Sequence, residues 1–114
     1  NMGTNRRYPG HGARLGEERE LCEARKRGPL QSLTDEQLGL RSTVVSVVPD
    51  DLRMWGLAWL RFGDHDVRAT VRVWRWTADA VGVEVEMPDT EERLHCWVWR
   101  GAVERLSRRE DAWT

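Results

Sequence analysis

A single lysine, a single tyrosine, a single phenylalanine and only two cysteines occur in the 114 residues. Each shortage removes a class of explanation. Cys22 and Cys96 are far apart and fit no metal or redox spacing, so they read as two buried, reduced thiols. Neither a metal site nor a cofactor is expected. No run approaches the roughly 20 apolar residues that span a bilayer. No apolar segment lies between a basic start and a cleavage site, so a cytoplasmic protein is expected. Asn1 ahead of Met2 reads as a remnant before a natural start. Net charge is −1, which supplies no global field toward nucleic acid or an anionic membrane.

What is present is arginine and tryptophan. Lys26 is the one lysine among 18 basic residues, a bias that fits a GC-rich genome. It also has a chemical consequence, because Arg stacks on rings and forks onto carboxylates where Lys does not. The chain has the length of one domain with a modest core. Residues 1–12, rich in Gly and Arg, read as a flexible basic tail. Residues 13–40 read as an N-terminal helix and linker. The helix covers 13–27 with a narrow stripe of Leu15, Leu21 and Cys22, and Gly28-Pro29 stops it. Thr34 and Gln37 have capping-box spacing before a short helical turn that ends at Gly39.

Residues 41–108 form the β domain, and 109–114 a C-terminal tail. Strands are expected at 42–48, 53–62, 67–77, 80–87 and 93–100, separated by turn-forming Pro, Gly, Asp and Thr. Residues two apart on a strand share a face. Val71, Val73, Val83, Val85, Leu94, Cys96 and Val98 therefore form an aliphatic core face. Trp74 with Trp76, Trp97 with Trp99, and Trp55 with Trp59 fall on the other. The fold class is mainly β: a five- to six-stranded antiparallel meander with one N-terminal helix. The segment Gly101-Ala102-Val103-Glu104-Arg105-Leu106 fits either a tight turn and short strand or a short helix. The first version resembles the end of SH3-like small barrels, in which a 3₁₀ turn and a closing strand finish the sheet. The resemblance covers about 60 residues and is one of topology, implying a small barrel.

The candidate site is the Trp/Arg face: Trp55, Trp59, Arg72, Trp74, Trp76, His95, Trp97, Trp99 and Arg100. Three occupants suit it. The 13–27 helix or a second subunit can cover it. A protein partner can dock there, since Trp and Arg dominate binding hot spots. A single-stranded nucleic acid can stack on it, although Glu84 and Glu86 would then sit beside phosphate. Other motifs carry less. Asp64-His65-Asp66 reads as a hairpin turn rather than a metal site. His95 and Cys96 point to opposite faces and cannot form a nucleophile–base pair. Gly10-His11-Gly12 follows no strand and lacks the Gly-Lys-Ser/Thr of a phosphate loop. An enzyme would need a cleft that gathers His95, arginines and an acid. The sequence thus predicts a small non-enzymatic domain that binds a protein partner or itself through this face, with a nucleic-acid-binding barrel as the alternative.

Overall fold

Alternating apolar and polar residues from Met54 onward build one antiparallel sheet, seen in a computed structural model that describes residues 10–113. Its six strands are β1 (Ser46–Val47), β2 (Met54–Phe62), β3 (His65–Trp76), β4 (Ala80–Glu86), β5 (Arg93–Trp99) and β6 (Val103–Leu106). The order is β5-β4-β3-β2-β6, and β1 pairs with the end of β3. The C-terminal segment is the turn-and-strand version, with a 3₁₀ turn at Arg100–Ala102 before β6. Two helices precede the sheet: α1 (His11–Arg27) and α2 (Asp35–Leu38). Of the expected tail, His11 and Gly12 form the first turn of α1 and Gly10 precedes it; residues 1–9 lie outside the described residues. The capping box at Thr34 and Gln37 forms as expected.

The strand expected over 42–48 shrinks to two residues. Two limits act on it. With Ser46 opposite Trp76, residues 42–45 would run past the end of β3, where Thr77 enters the turn to β4, and on the other side β2 takes β3 from Val73 back to His65. The β2–β3 hairpin turns on Gly63, at φ 58°. A Cβ there would lie 2.6 Å from the Arg27 carbonyl oxygen, because the end of α1 packs against this turn.

The aliphatic face is the core. Phe62, Leu60, Val67, Val71, Val83, Val85 and Met87 are its largest fully buried side chains. Each contributes about 1.5–3 kcal/mol on leaving water. Leu21 and Ala24 of α1 join the same cluster. The helix therefore packs mainly on the aliphatic face, and its N-terminal half also borders the outer side, where Arg14, Glu17 and Glu18 line a cleft with Trp55 and Arg72.

Pairing between β3 and β4 begins only at Arg72 and Glu84. Before that point the two strands diverge, and α1 fills the gap. Glu17 of α1 accepts hydrogen bonds from the Thr70 backbone N–H at 2.9 Å and its hydroxyl at 2.8 Å, satisfying a strand edge that β4 leaves open. No ladder joins β5 to β6, so among the described residues the sheet stays open. The linker after α1 spans part of the opening. Gln31 N–H donates to the Arg61 carbonyl at 2.7 Å and Leu33 N–H to the Trp97 carbonyl at 3.0 Å. Trp97 N–H in turn donates to Ser32 Oγ at 2.9 Å. No helix among the described residues is long and apolar enough to cross a membrane.

Candidate functional site

The tryptophans divide into two sets because of one extra residue in β3. Val73 pairs with Val83, but Arg75, not Trp74, pairs with Gly82. Trp74 and Arg75 thus oppose a single residue, a β-bulge. The bulge resets the alternation. Trp76 pairs with Val81 and falls on the aliphatic side, away from Trp74. The expectation that Trp74 and Trp76 share a face is overturned by that register shift.

On the outer face the bulge packs arginine between indoles. The Arg75 guanidinium lies 3.6 Å from the Trp74 ring centre and 5.4 Å from that of Trp97. Gly82 makes this possible, since a Cβ there would come within 3.3 Å of the Arg75 Cβ and 3.5 Å of Trp74 Nε1. Burial lowers the Arg75 pKa from its ordinary value. Trp55 carries two more guanidinium groups, Arg72 at 5.4 Å and Arg109 at 5.1 Å. The C-terminal 3₁₀ turn Arg109–Trp113 supplies the second of these.

Beside the stack lies a buried carboxylate. Glu84 is 7% exposed and would be costly to bury unpaired. Its Oε2 lies 3.0 Å from His95 Nε2 and 3.4 Å from Arg53, while Arg93 stands at 4.0 Å from Oε1. Arg53 also bridges to Asp50 at 2.6 Å, and the His95 ring meets Trp74 edge-on at 5.1 Å. This gathers the histidine, arginines and acid that an enzyme would need, and it can orient an imidazole. The thiol nearest in sequence, Cys96, faces the core, where burial pushes its pKa up to about 12. A group so reluctant to ionise is a poor nucleophile.

On the other side of the bulge, Trp76 borders a groove of about 230 Å³ at the open end of the sheet. Met54, Val73, Val81 and Val103 supply its apolar surface, and Arg100 and Arg105 stand at its rim. Trp55 reaches this groove as well as the outer face.

Of the predicted residues, Trp55 with Arg72, and Trp74 with His95 and Trp97, are brought together on the outer face. Trp76 and Arg100 meet at the groove instead. Trp59 and Trp99 belong to neither stack and are 56% and 47% exposed. Sequence reasoning placed Glu84 beside the outer face but missed Arg53, Arg75 and Arg109 there, and Arg105 at the groove. Gly82 within a run of valines was the available signal, since a glycine inside a strand marks a bulge or a close approach. Comparison with known protein families, with curated proteins and with solved structures yields no match to this chain.

Proposed function

We propose that this chain is a small non-enzymatic interaction domain that holds a partner protein at the open end of its sheet. One observation carries the reading: Trp76 is 41% exposed at the border of an apolar groove. Exposed tryptophan beside apolar surface is the composition of a binding hot spot. A finer architectural reading goes with it. Residues 28–33, hydrogen-bonded to both β2 and β5, stand in for a closing strand, so the domain is an SH3-like small barrel left open at one mouth. Two unpaired cysteines suit a reducing, cytoplasmic setting.

The nucleic-acid alternative is weaker. Base stacking needs bare ring faces, and Trp55, Trp74 and Trp97 already carry arginines. Glu84 and Glu86 would also repel a phosphate backbone. An enzymatic reading is weakened by the placement of Cys96 on the strand face opposite His95.

Selection from a random peptide display library tests the proposal. Clones that bind the wild-type domain should lose at least about tenfold in affinity, roughly 1.4 kcal/mol, against Trp76→Ala. Failure to enrich any clone, or clones indifferent to Trp76→Ala, would contradict it.

A further inference from the structure

Charge is unevenly distributed around the mouth. Two arginines stand at the groove, and among the described residues no carboxylate lines it. Other strand arginines are held in one of two ways: Arg53, Arg61, Arg68 and Arg93 form ion pairs, and Arg72 and Arg75 lie on indole rings. Among the described residues neither Arg100 nor Arg105 forms an ion pair. Arg100 donates to the Ala78 carbonyl at 3.3 Å, a neutral acceptor that leaves its charge uncompensated. A guanidinium in this position favours a carboxylate, which it can bind through two hydrogen bonds.

The size of the groove narrows the ligand further. Small-molecule sites occupy about 300–1,000 Å³, and this groove holds about 230 Å³. It suits one large apolar side chain better than a cofactor. Its border also offers backbone. β6 pairs with β2 along one edge and, among the described residues, with no strand along the other. Val103 and Arg105, two apart on β6, both line the groove. An extended chain laid along that free edge would gain main-chain hydrogen bonds and send alternate side chains toward the groove.

Resting on the protein-partner reading above, we infer that the mouth takes an extended acidic segment of the partner, added as a strand beside β6. One large apolar side chain packs against Trp76, and flanking carboxylates meet Arg100 and Arg105. Both parts of the ligand are needed. The apolar side chain fills the groove, and the carboxylates set the register.

A fluorescein-labelled peptide, acetyl-Asp-Glu-Leu-Glu-Asp-amide, provides the probe, read by anisotropy on the full chain. It should bind saturably, weaken at least about tenfold with Arg105→Glu, and weaken further as salt rises. A peptide with lysines in place of the acids should fail on wild type and bind Arg105→Glu, which also shows that the variant is folded. N-methylation of alternate amides should abolish binding in one of its two registers, because only one set of amides faces β6. Equal binding of acidic and lysine peptides, or indifference to N-methylation in both registers, overturns the inference. A dimer that Arg105→Glu dissolves in sedimentation would make a second copy the occupant and overturn it too. Library-selected peptides that need Trp76 but carry no acid would overturn the ligand chemistry alone and leave the mouth as the interaction site. If no peptide of any composition binds, both readings fall.

Discussion

Arg75 places its guanidinium carbon 3.6 Å from the centre of the Trp74 ring. This contact covers indole surface that would otherwise lie bare, although Trp74 Nε1 and Arg75 Nε are buried there without hydrogen-bond partners. It depends on the bulge, which sets Trp74 and Arg75 side by side opposite Gly82. A cation–π contact is worth about 0.5–2 kcal/mol depending on desolvation. Arg75→Ala should lower the stability read from urea unfolding by an amount in that range. Arg75→Lys should recover little of it, since the ammonium lacks a planar face to stack. An unchanged urea midpoint for Arg75→Ala would show that the stack carries no net stability.

Val83 is fully buried at the centre of the sheet, paired with Val73 on one side and Cys96 on the other. Val83→Asp buries a charge without a partner, a cost of several kcal/mol. Circular dichroism should find the variant unfolded or molten at room temperature. A cooperative transition near the wild-type temperature would mean that the core is misplaced.

The core was legible for a simple reason. Val71, Val73, Val83, Val85 and Cys96 obey strict alternation, and alternation is a local property of the chain. The capping box at Thr34 and Gln37 and the helix stop at Gly28 are local in the same sense. What sequence did not reveal was non-local. The Trp74-Arg75-Trp76 run looks regular, and the extra residue exists only relative to Gly82 on the neighbouring strand. The shortening of β1 follows from where β3 ends and from β2 taking the rest of the shared edge, which no pattern within 42–48 records. The position of α1 on the aliphatic face also lies beyond its narrow stripe, because Ala24, buried in the core, adds little to that stripe.

Glu17 links α1 to the open edge of β3 through Thr70. Burial is the main cause that raises its pKa, outweighing the hydrogen bonds from Thr70 that lower it. The native state therefore holds this proton more tightly than the unfolded chain. The group's contribution to stability is fully present below the ordinary carboxyl value and is lost as pH rises through the raised one. Glu17→Gln keeps an acceptor for both Thr70 donors and removes the charge. It should match wild type at about pH 4, near the ordinary carboxyl value, and exceed it in stability at about pH 8. Glu17→Ala, which leaves both donors unmatched, should lose about 1–3 kcal/mol. Greater stability of the wild type over Glu17→Gln at the higher pH would reverse the sign and refute this account.

The two free thiols should differ in reactivity. Cys22 is half-buried on α1, and Cys96 is buried on β5. Burial, followed by the nearby Asp89 charge, raises the Cys22 pKa, while burial alone pushes Cys96 to about 12. Titration with a thiol reagent should label Cys22 slowly in the native protein and Cys96 only on unfolding. Two thiols should be counted per denatured chain. Labelling of Cys96 ahead of Cys22 would place β5 the wrong way round.

The central claim is that the mouth at Trp76, rather than the outer face, receives the partner. The seven tryptophans each give an indole N–H resonance, assignable by single Trp→Phe substitutions. A titration with a library-selected peptide, followed by these resonances, tests the claim most directly. The Trp76 signal should move, with Trp55 following because it reaches the same groove, while Trp59, Trp74 and Trp97 stay in place. Movement of Trp74 and Trp97 with Trp76 unchanged would put the partner on the arginine-covered face and contradict the account.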